Sequence, residues 1–229
     1  MSKKIGVIIP AAGSGKRLGG VFKPFIDAHG KPVIFRLLTL FAALPDISKI
    51  CIAVPPDRIP DFRQLAESTS GLSGLVEIVE GGVERPLSVK NAYTSLSRFL
   101  SDDDLVCIHD AARPLLSEED LNSVIQAGWE HGVSFLAARV KDTLKVVDEK
   151  GFCTSTIDRS AVFAAQTPQV MKSGLLKKAY EKVTDCSKLT DEIMLMEKIG
   201  VKAFVVEPRH LNFKITTSED LDLLRKLIS

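Results

Sequence analysis

Short apolar runs alternate with longer amphipathic segments along most of this chain, and this alternation constrains the fold more than any other feature. The runs at 4–10, 49–54, 75–82, 104–110, 133–140 and 202–207 are typical of strands, and the first is too short for a buried helix. Between them, apolar residues recur at helical spacing. Strand and helix in repeated alternation predict an α/β protein, with helices on both faces of a mostly parallel, twisted sheet. A last strand is predicted at 212–216.

Polar loops begin where three of the predicted strands end, after residues 10, 80 and 109. In sheets of this kind, ligands bind beyond the carboxyl ends of the strands. We therefore expect these loops to meet at one edge of the sheet and to form a ligand site there.

The loop at 10–23 reads PAAGSGKRLGGVFK and matches neither of two common phosphate-binding motifs. A Walker loop requires Ser or Thr after its Gly-Lys pair, where this chain has Arg17. The dinucleotide fingerprint requires a third glycine where this chain has Leu18. Both of these nucleotide-binding classes are excluded for this loop.

Phosphate binding is still favoured for the same loop. Gly13 and Gly15 allow backbone N–H groups to approach an anion, and Arg17 and Lys23 add positive charge. The alternative is a tight turn whose cations are simply solvated.

The loop after residue 80 carries Gly82, and Arg85 and Ser88 follow in the first turn of a predicted helix. Its glycines would admit a flat base, whose edge Ser88 and backbone groups would contact. Strand exit and helix capping are the alternative explanation, and for this motif alone they are favoured.

The loop after residue 109 places Asp110 and Arg113 at a strand end, with small residues between them. A carboxylate there could hold hydroxyl groups or lie near a metal, and an arginine could hold a phosphate. The alternative is an Asp–Arg ion pair that closes the loop.

The segment 141–160 interrupts the alternation and is predicted to be a β-hairpin, because two alternating runs flank the turn residues DEKG. It offers little apolar surface for its length, and an isolated hairpin is marginally stable. Two placements remain open on these grounds: packing on another subunit, or an edge hairpin of its own sheet.

Charge and cysteine content narrow the functional class. The 30 Lys and Arg residues nearly balance the 29 Asp and Glu residues, so no overall field attracts nucleic acid or a membrane surface. The four cysteines lack zinc-ligand spacing, and Cys51 and Cys107 lie in apolar runs, which suits a reducing compartment. The cysteine spacing therefore predicts no metal site formed by the protein itself. The first apolar run is too short for a signal peptide or a membrane span, so a cytoplasmic protein is expected.

Seven short motifs occur in order along nearly the whole chain: PAAGSGKRLG with a following lysine, GGVERPLSV, HDAARP, DTLK, DR with QTPQ, TDE and NFKITT. Together they resemble the 2-C-methyl-D-erythritol 4-phosphate cytidylyltransferase family. The resemblance implies one Rossmann-like nucleotidyltransferase domain over 1–229, with a protruding β-hairpin arm at about 139–161. It also implies a homodimer in which each arm reaches over the partner's active site, and so favours the intersubunit placement of the hairpin.

The family's reaction follows from the same resemblance. It transfers a cytidylyl group from CTP to methylerythritol phosphate and releases diphosphate, in the non-mevalonate route to isoprenoid precursors. Mg²⁺ is expected to be bound mainly through the CTP phosphates. Neither nucleic acid nor a membrane is expected as a partner.

The resemblance also carries over the site residues. Transition-state stabilisation falls to Arg17 and Lys23, and positioning of the substrate phosphate to Arg159 and Lys214. The nucleotide-binding residues are Ala11, Ala12, Gly13, Gly15, Gly82 and Ser88. The methylerythritol side is assigned to Asp110, Arg113, Thr143 and Thr167, with Thr143 and Arg159 supplied by the partner's arm. The sequence departs from the family at Phe22, where a proline usually precedes the lysine of the loop.

Other functions are less favoured by the same motifs. Ribitol 5-phosphate cytidylyltransferases tend to have Val at the position of Ala112 and to lack the Asp158–Arg159 pair, so methylerythritol phosphate is favoured. A sugar-1-phosphate nucleotidyltransferase would not share the later motifs. A bifunctional enzyme is not expected from the length of the chain. A non-catalytic nucleotide-binding protein of the same fold would be expected to lack some of the four cations named above.

Overall fold

The computed structural model describes residues 3–13, 22–28 and 30–228, and two sets of elements build the fold. The strands are β1 (Ile5–Pro10), β2 (Asp27–Ala28), β3 (Lys31–Pro32), β4 (Ile47–Val54), β5 (Val76–Glu80), β6 (Leu105–Ile108), β7 (Val133–Arg139), β8 (Leu144–Val147), β9 (Cys153–Ile157), β10 (Phe163–Lys172) and β11 (Phe204–Val206). The helices are α1 (Val33–Ala42), α2 (Ile59–Ser68), α3 (Arg85–Leu96), α4 (Glu118–His131), α5 (Ser173–Lys182), α6 (Glu192–Lys198) and α7 (Ser218–Leu227).

Seven strands form the central sheet, in the order β11-β7-β10-β6-β1-β4-β5. Neighbouring strands are parallel except at β10, which runs antiparallel to both β6 and β7. The predicted α/β architecture with a mostly parallel sheet is confirmed. Its central strands are continuous apolar runs because both faces are covered.

Helices cover both faces of the sheet, as the alternation predicts. Along β1, Val7 and Ile9 pack on one face in a cluster that includes residues of α1 and α4. Ile8 points to the other face and packs in a cluster that includes residues of α3, α5 and α6. Within the described ranges, no helix is both long and apolar enough to cross a membrane.

Strand β10 is not among the strands that periodicity predicts. Pro168 lies within it after a cis peptide bond, and its register against β7 shifts between Ala165 and Gln169. Proline removes a hydrogen-bond donor from the ladder and argues against a central strand, so the local sequence does not predict strand β10.

The strand predicted at 212–216 is wrong. This segment is neither strand nor helix, and the backbone N–H of Ile215 donates to the carbonyl oxygen of Ala112 at 2.8 Å. Its apolar side chains Phe213 and Ile215 pack in a small cluster with α7 instead of in a sheet. The alternation in this short run therefore indicates that one side of the segment is buried, and does not indicate pairing with another strand.

The predicted hairpin is confirmed as β8 and β9. These strands pair with each other in a separate two-stranded sheet, so the hairpin is not an edge of the central sheet. Every residue of β9 is exposed, and Val146 and Ile157 are each about 40% exposed on one face. The arm therefore presents apolar surface that the rest of this chain does not cover.

Candidate active site

A cavity of about 450 Å³ lies at the carboxyl edge of the sheet. It is lined by the loops that follow β1, β5 and β6, together with Lys23, Pro24 and Lys214. The expectation that the three loops meet at one edge is confirmed.

The cavity brings together most of the predicted site residues. Those that line it are Ala11, Ala12, Gly13, Lys23, Gly82, Ser88, Asp110 and Lys214. Gly15 and Arg17 lie outside the described residues. Four other predicted residues are not among those that line it: Arg113, Thr143, Arg159 and Thr167.

The loops after β1 and β5 meet at Gly81. Its backbone N–H donates to the carbonyl oxygen of Val54 at 2.8 Å, which extends the sheet by one bond. A Cβ atom at this position would lie only 2.3 Å from the Cβ of Ala12, so only glycine allows the two loops to approach so closely.

Ser88 fixes the second glycine of this loop. Its hydroxyl accepts from the backbone N–H of Gly82 at 3.1 Å and lies 3.1 Å from the carbonyl oxygen of Glu84. Ser88 is buried because it lies in the first turn of α3, which packs on the sheet. Glycine backbone and one hydroxyl therefore line this side of the cavity.

Asp110 lies between two cations. Its Oδ1 atom accepts from Nε of Arg85 at 2.9 Å, and its Oδ2 atom accepts from Nζ of Lys214 at 2.6 Å. Burial alone would raise the pKa of this carboxyl group, but Arg85 and Lys214 outweigh burial and hold the pKa well below its usual range. Asp110 is therefore an anion at any working pH.

Arg85 joins Asp110 to a second carboxylate. Its Nη1 atom donates to Oε1 of Glu192 at 3.0 Å, and both carboxylates keep the guanidinium charged. Burial raises the pKa of Glu192, and the Arg85 charge offsets this only in part. Neither Arg85 nor Glu192 is among the site residues predicted from the sequence. The only signals were their places in the GGVERPLSV and TDE motifs.

His109 and Thr167 form a buried hydrogen-bonded chain beneath the cavity. The hydroxyl of Thr167 accepts from the backbone N–H of Asp110 at 3.0 Å and lies 3.2 Å from Nδ1 of His109. Nε2 of His109 lies 2.9 Å from the carbonyl oxygen of Arg113, so Nε2 is the protonated nitrogen. Burial lowers the pKa of His109 to about 4 and keeps the ring neutral.

Arg113 lies beside the cavity. Its Nη1 atom donates to the carbonyl oxygen of Asn212 at 2.6 Å, so the loop after β6 is tied to the segment that carries Lys214. No ion pair joins Arg113 to Asp110 in the part of the chain that the structure describes, so the alternative of an Asp–Arg pair closing this loop is wrong.

Thr143 and Arg159 lie at the base of the hairpin arm, on either side of β8 and β9, and both are exposed. Neither lines the cavity of its own chain. Among residues 3–13, 22–28 and 30–228, no group of three Asp, Glu, His or Cys side chains is placed to hold a metal ion.

Comparisons with known proteins identify the family. The family model described as 2-C-methyl-D-erythritol 4-phosphate cytidylyltransferase matches residues 5–228. A protein of that name from Endomicrobium trichonymphae is 38% identical over 98% of this chain and 99% of its own length. One from Clostridium perfringens (strain SM101 / Type A) is 37% identical over the full length of both chains. A crystal structure of 4-diphosphocytidyl-2C-methyl-D-erythritol synthase from Anaerococcus prevotii DSM 20548 superposes with a TM-score of 0.83 at 30% identity, covering 99% of this chain and 96% of that one.

An open, mostly parallel sheet with a glycine-lined, cationic cavity at its carboxyl edge is the arrangement of a ligand-binding α/β protein. The comparisons assign this α/β protein to the nucleotidyltransferases, which are enzymes. The chain belongs to the 2-C-methyl-D-erythritol 4-phosphate cytidylyltransferase family.

Proposed function

We propose that this chain transfers the cytidylyl group of CTP to 2-C-methyl-D-erythritol 4-phosphate. The products are 4-diphosphocytidyl-2-C-methyl-D-erythritol and diphosphate, in the non-mevalonate route to isoprenoid precursors. The observation that carries this proposal is the cavity in which two glycine loops face Lys23, Lys214 and Asp110 in a chain of this family.

The nucleotide base and ribose occupy the side of the cavity formed by Ala11, Ala12, Gly13, Gly82 and Ser88. Two features support this assignment: glycine backbone bounds the opening, and Ser88 offers a hydroxyl at its edge. Backbone groups at close range select a flat base by shape and by hydrogen bonds.

The triphosphate lies towards Lys23. The Nζ atom of Lys23 donates to the carbonyl oxygen of Ile215 at 2.8 Å, which places this cation in the cavity beside the Lys214 segment. Gly15 and Arg17, from the same loop, complete the phosphate site in this proposal. Their contribution is backbone N–H groups and a second cation.

The reaction needs no protein nucleophile. An oxygen of the acceptor phosphate attacks the α-phosphorus of CTP, a new P–O bond forms, and the bond to the β-phosphate breaks as diphosphate leaves. Negative charge grows on the equatorial and leaving oxygens during this step. Positioned cations stabilise that charge, and here they are Arg17 and Lys23.

The acceptor binds near Asp110 and Lys214. Lys214 holds its phosphate for attack, and the Asp110 carboxylate accepts from its hydroxyl groups. Arg113 and Thr167 were predicted to contact this substrate directly. Their contacts favour a supporting role, because Thr167 binds the Asp110 backbone and Arg113 binds the Asn212 backbone.

We propose that Mg²⁺ enters as part of the substrate, bound to the phosphates of CTP. The lining of the cavity fits this role, because it presents cations and glycine backbone to the phosphates that would carry the ion. When bound, the ion neutralises part of the triphosphate charge.

The arm at about 139–161 completes the site of a second copy of the chain, in a homodimer of single-domain subunits that we expect to be cytoplasmic. Thr143 and Arg159 of each arm would then reach the partner's acceptor. Three observations support this. Thr143 and Arg159 are exposed, they do not line the cavity of the chain that carries them, and one apolar face of the arm is uncovered.

The test measures diphosphate release from CTP and Mg²⁺ with methylerythritol phosphate and, separately, with ribitol 5-phosphate. Release with methylerythritol phosphate, and its loss on adding a chelator, is expected. Release with ribitol 5-phosphate alone would keep the mechanism and replace the substrate. Release with neither, while CTP binds, would favour a non-catalytic nucleotide-binding protein.

A further inference from the structure

A chain of alternating charges runs from the buried start of α6 to the cavity. Glu192, Arg85, Asp110 and Lys214 are linked in that order by contacts of 3.0, 2.9 and 2.6 Å. We propose that Glu192 and Arg85 are positioning residues for the transfer reaction: they fix the Asp110 carboxylate and, through it, the Lys214 ammonium. This inference rests on the function proposed above.

Glu192 is a fixed anchor. It is 2% exposed, and its backbone N–H donates to Oε1 of Gln169 at 3.0 Å. Gln169 lies in β10 and pairs with Ile108 of β6, the strand that leads into Asp110. The anchor and the carboxylate that it serves are therefore tied to the same two central strands.

Stability alone does not account for Glu192. Burial of a carboxylate is costly, and Oε2 of Glu192 has no hydrogen-bond partner among the described residues. A well-packed apolar side chain at such a position is often at least as stable as a buried ion pair. The role that the geometry supports is orientation of Arg85.

Arginine suits this position because it serves two carboxylates from two nitrogens. Nε contacts Asp110 and Nη1 contacts Glu192, in one planar group whose orientation both contacts define. Lysine would keep the charge but offers a single nitrogen on a flexible stem.

Lys214 depends on this arrangement because its own segment has no regular structure. Residues 207–217 belong to no helix or strand, and the Lys214 side chain is partly exposed. A lysine side chain has many rotamers, so its contact with Asp110 defines where the ammonium points. If Asp110 moves, the cation proposed to hold the acceptor phosphate moves with it.

The test is a double-mutant cycle on two residues that do not contact each other, Glu192→Gln and Lys214→Ala. Glu192→Gln is expected to lower kcat about tenfold in the natural background and less than about threefold in the Lys214→Ala background. Calorimetry measures the CTP affinity and the number of CTP sites per chain. In Glu192→Gln, both are expected to stay within about twofold of the values for the natural protein.

Two controls on α6 separate positioning from structural damage. Glu197→Gln makes the same change at an exposed position, and Met196→Ala removes buried packing without changing charge. Met196→Ala is expected to lower the melting temperature while kcat per CTP site is unchanged. If Glu192→Gln does not fold, Arg85→Lys takes its place in the cycle.

Equal losses in both backgrounds would overturn the inference, and so would a Glu192→Gln enzyme that matches Met196→Ala in kcat per CTP site. If the natural protein releases no diphosphate from CTP and methylerythritol phosphate, the proposed function itself fails. That outcome is distinct, because it precedes any comparison of variants.

Discussion

The Nζ atom of Lys214 lies 2.6 Å from Oδ2 of Asp110, so the cation proposed to hold the acceptor phosphate already has an anionic partner in the site. An ammonium group has three N–H donors and can contact a phosphate while it keeps this partner. Asp110 thus aims Lys214 at the cavity without occupying all of its hydrogen-bonding capacity. A carboxylate near the acceptor also suits a substrate with hydroxyl groups.

Removal of the Lys214 charge is expected to reduce turnover. In Lys214→Ala, the loss of a charge-assisted contact worth roughly 1.5–3 kcal/mol should lower kcat/KM for methylerythritol phosphate by about ten- to one-hundred-fold. Steady-state diphosphate release measures this. Lys172→Ala is the control, because Lys172 pairs with Asp103 on the surface. Unchanged turnover in Lys214→Ala would remove this lysine from the mechanism.

A methyl group at Gly81 is expected to disturb the loops after β1 and β5, which are proposed to bind the nucleotide. Because its Cβ would lie 2.3 Å from Ala12, Gly81→Ala should push the loops after β1 and β5 apart, destabilise the fold by about 1–3 kcal/mol and weaken CTP binding. Thermal unfolding and calorimetry with CTP measure the two effects.

Gly74→Ala is the matched control for Gly81→Ala. Gly74 has a φ of +76°, so alanine is strained there, but the residue is not among those lining the cavity. The control should lose stability and keep its CTP affinity. CTP affinity that falls equally in both variants would contradict the assignment of the Gly81 loop.

Charges on the apolar face of the arm are expected to break the proposed homodimer. Val146 and Ile157 lie on one face of the hairpin and are about 40% exposed, so aspartate at both positions should prevent burial against a partner. Sedimentation should then show a monomer, diphosphate release should be lost, and CTP binding should survive.

Thr156→Asp is the control for the arm, because Thr156 pairs with Lys145 on the opposite face of the same hairpin. It should remain dimeric and active. A monomeric Val146→Asp, Ile157→Asp protein with full activity would refute the shared site.

The neutral, buried His109 is expected to make stability depend on pH. Its pKa is about 4 in the folded protein and about 6.5 in an unfolded chain, so the unfolded state binds a proton first as the pH falls. The free energy of unfolding should therefore decrease from about pH 6.5 to about pH 4, by roughly 3 kcal/mol at most from this group.

His109→Gln should flatten that decrease, because glutamine does not titrate and can still donate to the Arg113 carbonyl oxygen. Denaturant unfolding at several pH values, on the natural protein and the variant, gives the difference directly. His131→Gln, at a partly exposed position, is the control. An equally steep pH dependence in His109→Gln would show that His109 is not the group responsible.

Most of the architecture could be predicted from the local sequence. Strands β1, β4, β5 and β6 are apolar runs bounded by polar loops, and amphipathic segments between them became helices. The polar loops then had to meet, because the carboxyl ends of parallel strands share an edge. Strand β10 was not predicted because Pro168 interrupts its strand pattern. The strand at 212–216 was wrongly predicted because a short alternating run need not pair with another strand.

The sequence by itself determined the order of strands and helices, the glycine positions where loops approach a ligand, and the motifs that mark the family. Each depends on residues that are neighbours in the chain. Only the tertiary structure decided that Arg85 contacts both Asp110 and Glu192, the latter 107 positions away, and that the Thr167 hydroxyl accepts from the Asp110 backbone. Such contacts leave no local pattern, because the partners become neighbours only when strands distant in sequence pair in one sheet.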